Sequence, residues 1–149
     1  MAGNVIYRGP IKDEPETVND KTVAGAYLPG VLVTESATAL TVATAADMQE
    51  QLLVLSNVRF KDQDVATAYT SGDTGVAYRP RPNEIYQVRL AAATYAKGAP
   101  LTIGASGYLT AVGDEEVVYA YFDDTPGAFT AGSLADVRWA NQITTPAGV

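Results

Sequence analysis

Short apolar runs separated by turn residues are the feature that most constrains the fold of this chain. Runs of this length, bounded by Gly, Pro, Asn or Asp, are typical of β-strands. The apolar runs are 31–33, 40–42, 52–56, 76–78, 85–90, 101–103, 108–110, 117–122 and 137–139. Little of the sequence has helical periodicity, so we predict a mainly β protein. A small β-barrel or β-sandwich of about ten short strands is the expected architecture.

Segment 85–90 has the clearest strand pattern in the sequence. Alternate residues of a strand point to opposite faces of a sheet, which divides the segment into two sets. These sets are Tyr86, Val88 and Leu90, and Ile85, Gln87 and Arg89. Because the first set is apolar and the second is mixed, we predict a half-buried strand.

A single short helical segment is predicted after residue 44. Thr44 followed three residues later by Asp47 is a helix-start signal of the capping-box type. The residues that follow, 45–51, are therefore expected to form one or two helical turns.

The first 24 residues differ from the rest of the chain. An apolar patch, Val5-Ile6-Tyr7, precedes a polar stretch without periodicity that contains Pro15. We therefore predict an extended N-terminal arm over residues 1–24 and a single β-rich domain over residues 25–149. A free terminus is one reading of the arm, because termini that are not tied down fray. The functional reading is that Val5, Ile6, Tyr7 and Arg8 contact a neighbouring protein.

The absence of histidine and cysteine narrows the chemistry available to the chain. Without these residues there is no Ser-His-Asp or Cys-His catalytic arrangement and no ordinary zinc site. Asp62-Gln63-Asp64 begins like a calcium-binding loop but lacks the later oxygen ligands and the glycine of that motif. We therefore expect neither an enzyme nor a cofactor.

The charge of the chain disfavours two classes of partner. Seventeen acidic and ten basic side chains give a net charge of −7. Non-specific binding to nucleic acid depends on clustered Lys and Arg, so nucleic acid is not an expected partner. No apolar run approaches the roughly 20 residues of a membrane helix, and no signal peptide is recognisable. We expect synthesis in the cytoplasm and no membrane partner.

Nine tyrosines, against three phenylalanines and one tryptophan, favour a role in protein contacts. Tyr and Arg are enriched in protein interfaces, although Tyr is also a good strand former. The candidate oligomer contacts on this basis are Tyr78, Arg79, Arg81, Tyr86 and Arg89.

From Tyr69 to about Arg138, and again at 28–33, the chain resembles a family of small proteins that decorate or cement the heads of tailed bacteriophages, so the likeness spans more than half of the chain. The resemblance is carried by an order of strands and glycine turns rather than by a catalytic signature. It comprises Leu-Pro-Gly-Val-Leu-Val at 28–33, Tyr-Thr-Ser-Gly-Asp-Thr at 69–74, the whole of 81–110, Val-Val-Tyr-Ala-Tyr-Phe-Asp-Asp-Thr at 117–125 and Asp-Val-Arg-Trp at 136–139. The polar stretch 12–24 has no counterpart in the resemblance.

The resemblance implies a structural protein of the virion on the outer surface of the head. Such proteins are often homotrimers, and they bridge subunits of the major capsid protein, often with an N-terminal arm that adds a strand to a capsid neighbour. The implied partners are therefore the major capsid protein and further copies of the chain.

Two other functions are compatible with the same composition. One is a different phage structural part, a tail tube or head-completion protein, which would favour six-fold rings rather than trimers. The other is a carbohydrate-binding β-sandwich displayed on the virion. The only tryptophan, Trp139, lies in a charged strand, which argues against an exposed aromatic sugar platform.

Overall fold

The computed structural model describes residues 3–11 and 15–146, and within these residues the regular structure is β-strand with three short 3-10 turns. The strands are Tyr7–Gly9 (β1), Glu16–Val18 (β2), Thr22–Val23 (β3), Leu32–Glu35 (β4), Ala39–Val42 (β5), Leu53–Ser56 (β6), Val76–Arg79 (β7), Ile85–Leu90 (β8), Ala93–Tyr95 (β9), Pro100–Ile103 (β10), Leu109–Ala111 (β11), Val117–Phe122 (β12), Gly127–Phe129 (β13) and Ser133–Thr144 (β14). The 3-10 turns are Ala45–Asp47, Arg59–Lys61 and Ala105–Gly107. No helix in this part of the chain is long and apolar enough to cross a membrane.

Five strands form a closed barrel in the order β8-β11-β10-β12-β14, and β14 pairs back onto β8. All of these pairings are antiparallel except that of β11 with β8. Strand β1 pairs with β8 as an additional element. Closure leaves few strand edges exposed, which is one way in which β proteins avoid edge-to-edge association. The barrel confirms the mainly β prediction and its barrel alternative.

The second sheet has the order β2-β7-β6-β4-β5-β3. Strand β3, at one end of this order, contacts the segment just before β7, near the other end. The Val23 N–H donates to the Asp73 carbonyl at 2.8 Å, and the Gly72 N–H donates to the Val23 carbonyl at 2.8 Å. A bridge between Thr22 and Thr74 completes this contact. The second sheet therefore curls into a smaller, nearly closed barrel.

Each barrel has its own apolar core, and the second sheet contributes to both. Successive side chains of β4 and β6 point to opposite faces. Leu32 and Val54 belong to the core of the larger barrel, whereas Val33, Leu53 and Leu55 belong to the core of the smaller one. This double role explains why residues 52–55 are all apolar instead of alternating.

The prediction of a separate N-terminal arm is wrong for the residues that the structure describes. Strand β1 belongs to the larger barrel sheet, and β2 and β3 belong to the smaller one. Ile6, Val18 and Val23 are buried in the two cores. Strands β2 and β3 could not be recognised in the sequence, because each one buries a single apolar side chain beside exposed polar neighbours. Residues 1–2 and 12–14, which also belong to the predicted arm, lie outside the described residues.

Segment 85–90 is a strand with the predicted bounds, but it is not half-buried. Tyr86, Val88 and Leu90 lie in the larger core, while Gln87 and Arg89 on the opposite face are also buried. The Gln87 amide donates to the carbonyls of Gly3 and Val5, at 2.6 and 3.1 Å. The polar face of the strand is therefore covered by other parts of the chain rather than by solvent.

The predicted helix after Thr44 is limited to the 3-10 turn Ala45–Asp47. Its capping box is present, because the Thr44 N–H donates to the Asp47 carboxylate at 2.8 Å. Residues 3–11 and 15–146 form fourteen strands instead of about ten, because β1, β2, β3, β9 and β13 contain only two or three residues each and were not predicted.

Candidate binding surface

The predicted capsid-contact residues occupy very different environments. Ile6 has an exposed fraction of 0%, so it is a core residue and is unavailable to a partner in this fold. Val5 and Tyr7 are half-buried, and Arg8 is exposed. The Arg8 guanidinium lies 3.2 Å from the Asp136 carboxylate at the flank of the larger barrel. The assignment of Ile6 as a contact is therefore corrected, whereas Val5, Tyr7 and Arg8 remain candidates.

Three of the predicted contact tyrosines form one aromatic cluster. The ring centroids of Tyr7 and Tyr86 are 5.2 Å apart, and Tyr78 lies 5.9 Å from Tyr7 and 5.7 Å from Tyr86. Trp139 continues the cluster at 6.3 Å from Tyr86. Because Tyr78 comes from the smaller barrel and the other rings come from the larger one, the cluster joins the two. Tyr86 is fully buried, and its assignment as an oligomer contact is wrong.

The Tyr86 hydroxyl is placed by a buried carboxylate. It donates to Glu84 at 2.9 Å, and Glu84 also accepts from the Arg81 backbone N–H at 2.7 Å. Burial, followed by the hydrogen bond to Glu84, strongly raises the pKa of Tyr86. The phenol is therefore protonated at all ordinary pH values and acts as a structural donor.

Two of the predicted contact arginines form ion pairs within the chain. Arg79 lies 2.6 Å from Glu35 and 3.3 Å from Glu16, and Arg81 lies 3.0 Å from Glu84. The Arg79 pairs connect β7 with β2 and with β4. Both arginines keep part of their surface exposed, so both remain candidate contacts.

Arg89 is a structural residue and not an oligomer contact. Its exposed fraction is 8%, and its guanidinium donates to the backbone carbonyls of Pro29, Gly132 and Val65 at 2.8, 2.6 and 2.7 Å. Burial lowers the pKa of Arg89 from its ordinary value. Since three distant loops meet at one side chain, Arg89 fixes their relative positions.

A cleft of about 460 Å³ lies beside the 3-10 turn Arg59–Lys61 (the 59–61 turn), and one of its lining residues, Tyr78, belongs to the aromatic cluster. Its wall combines two β7 side chains, Val76 and Tyr78, with Phe60 of the turn. The full lining is Asn19, Ser56, Asn57, Val58, Arg59, Phe60, Lys61, Thr74, Val76 and Tyr78.

The conformation of the 59–61 turn is fixed by hydrogen bonds on both sides. The Gln63 amide oxygen accepts from the Val58 N–H at 2.8 Å, and the Asn57 amide donates to the Gln63 carbonyl at 2.8 Å. Asp62 closes the turn in the left-handed region with φ of 60°. With Val58 buried below, Phe60 projects outward with an exposed fraction of 83%.

Two exposed cations flank Phe60 in the 59–61 turn. Arg59 and Lys61 are exposed at the cleft and form no ion pair with any residue that the structure describes. An adjoining depression of about 330 Å³ shares Val58, Lys61 and Thr74 with the cleft and is also lined by Asp62, Asp64 and Asp73. These carboxylates do not form a metal-binding group, and no such group occurs in 3–11 or 15–146.

Sequence analysis did not select the 59–61 turn. The signal was present as Val58-Arg59-Phe60-Lys61, in which an aromatic residue lies between two cations in a short break between strands. An exposed Phe and a buried Phe look the same in a sequence, and only the fold shows that no strand covers this one.

The chain matches no family model and no curated protein. A search of solved structures finds the head fiber gp8.5 N base of bacteriophage phi29, with a TM-score of 0.57 and 15% sequence identity. The similarity covers 87% of this chain and 95% of the N-base chain of that structure. The chain therefore shares the fold of a phage head fiber base over almost its whole length.

Proposed function

We propose that this chain is a structural protein of a phage virion that binds the outer surface of the head and bridges subunits of the major capsid protein. The observation that carries the proposal is the likeness in fold to a head fiber base over 87% of the chain. This likeness and the sequence resemblance to head decoration proteins both support a structural role at a phage head.

The form of the molecule suits a rigid clamp. Two barrels are joined by an aromatic cluster and by Arg89, so force applied to one barrel is transmitted to the other through packed side chains. A protein that binds only the assembled lattice stabilises that lattice by mass action. No catalytic turnover is required for this role.

Binding to heads and to free subunits distinguishes this function from simple affinity for the capsid protein. The purified chain is mixed with undecorated heads, or with dissociated capsid subunits, and co-sedimentation is measured over a range of concentrations. We expect saturable binding to heads and little binding to subunits, because a bridging site exists only between neighbours. Equal, stoichiometric binding to dissociated subunits contradicts the proposal.

The homotrimer that the resemblance implies is a separate part of the proposal. Analytical ultracentrifugation of the free chain measures it directly, with a trimer expected. A six-fold ring would instead favour a tail or head-completion component.

A further inference from the structure

We infer that the cleft beside the 59–61 turn is the surface that holds the capsid partner, and that its occupant is an acidic segment carrying an apolar side chain. The inference rests on the proposed function and adds a site and a ligand chemistry to it. Three observations carry it: an exposed aromatic ring, two unpaired cations and a turn held in one conformation.

The apolar part of the surface is formed by Phe60 together with the adjoining cleft. Large apolar side chains with high exposure are few in the described residues, and the other two, Ile11 and Ile143, lie at other places in the chain. Phe60 lies beside a depression that Val76 and Tyr78 extend towards the aromatic cluster. An aromatic anchor beside a pocket is the arrangement found at energetic centres of protein interfaces.

The positive charge of Arg59 and Lys61 indicates an acidic partner. In a chain of net charge −7, the other described cations have partners: carboxylates for Arg8, Lys21, Arg79, Arg81 and Lys97, carbonyls for Arg89 and the Tyr121 ring for Arg138. Only Arg59 and Lys61 are without such a partner among the residues that the structure describes. Two free cations beside an apolar cleft are complementary to carboxylates that flank an apolar side chain.

A preformed turn lowers the cost of binding. The bonds from Gln63 and Asn57 hold the 59–61 turn before any partner arrives. Little backbone ordering then opposes association, which is the advantage of preorganised interfaces.

The test uses head binding by the full chain and two pairs of variants. Phe60→Ser removes the anchor, and its matched control is Ile143→Ser, an exposed apolar residue elsewhere. Arg59→Gln with Lys61→Gln removes two positive charges, and its control, Ala96→Glu with Ala131→Glu, makes the same change in net charge at exposed sites of the larger barrel. All of these side chains are exposed, so melting temperatures should match that of the unmodified chain.

We expect Phe60→Ser to weaken binding to undecorated heads at least about tenfold, the scale of an interface hot spot, and both controls to bind normally. The Arg59→Gln, Lys61→Gln variant should bind more weakly and with less dependence on salt, since it lacks the charges that salt screens. These results support the site and its chemistry.

Three outcomes overturn the inference, and they are distinguishable. If the unmodified chain does not bind heads, the proposed function fails and the site fails with it. If the unmodified chain binds and the turn variants bind equally well, the function stands and the site is wrong. If the turn variants lose self-association in ultracentrifugation while head binding is unchanged, the cleft takes a second copy of the chain.

Discussion

Replacing Ile6 by alanine tests whether the N-terminal segment is part of the folded body. Ile6 has an exposed fraction of 0% and packs in the core of the larger barrel. Its backbone carbonyl accepts from the Gln87 N–H at 2.7 Å, a bond that alanine retains. The variant therefore loses side-chain packing alone. Truncating a buried Ile to Ala costs about 2–5 kcal/mol of the free energy of unfolding.

Ile11→Ala is the matched control, because Ile11 has an exposed fraction of 98% and lies five residues away. Exposed substitutions of this kind change stability by less than about 0.5 kcal/mol. For a chain of this size about 1 kcal/mol shifts Tm by roughly 2–4 °C, so Ile6→Ala should lower Tm by roughly 4–20 °C. Urea denaturation and calorimetry measure both variants. Equal stability of the two variants would refute the conclusion that the N-terminal segment packs in the folded body, and it would favour the prediction of a free arm.

Three further predictions concern stability. Replacing Arg89 by Met should lower the free energy of unfolding by at least about 3 kcal/mol, because three carbonyls lose their donor at about 1–3 kcal/mol each. A loss below about 1 kcal/mol in urea denaturation would contradict the structural role of Arg89. Burial raises the pKa of Tyr69 to about 12. The stability that depends on its protonated form should be complete below about pH 10 and lost as pH rises through 12. Burial also raises the pKa of Tyr86, Tyr95 and Tyr119, so the difference between the ultraviolet titrations of the unmodified chain and Tyr69→Phe should show the loss of one late-ionising phenol among several. EDTA should leave Tm unchanged, because Asp62 and Asp64 do not form a calcium loop; a marked drop in calorimetry would show a bound cation.

The strands that could be predicted from the sequence are those with several consecutive apolar residues. Segment 117–122 was recovered with its bounds because each of its residues is hydrophobic, and it lies in the wall of the larger barrel. Strand β2 could not be recovered, since its sequence Glu16-Thr17-Val18 buries only Val18. The pairing partner, β7, lies some 60 positions away, and short local windows carry no information about it.

The candidate site was harder to predict than the fold, because residue type does not determine exposure. Tyr86 and Arg89 were selected as contact residues by type, but the fold places both inside, where Glu84 and backbone carbonyls satisfy their polar atoms. Phe60 was not selected, because its sequence neighbours do not show whether the ring is buried or exposed. Its exposure depends on the hydrogen bonds of Asn57 and Gln63, which set the path of the turn.

Imaging of heads incubated with the purified chain tests the central claim most directly. Undecorated heads are mixed with saturating chain, washed and examined by cryo-electron microscopy, with untreated heads as the reference. The account predicts additional density on the outer surface at junctions between capsomers, into which the two-barrel structure fits with the 59–61 turn facing the capsid. Heads identical to the untreated reference, or density confined to the tail or portal, would contradict it.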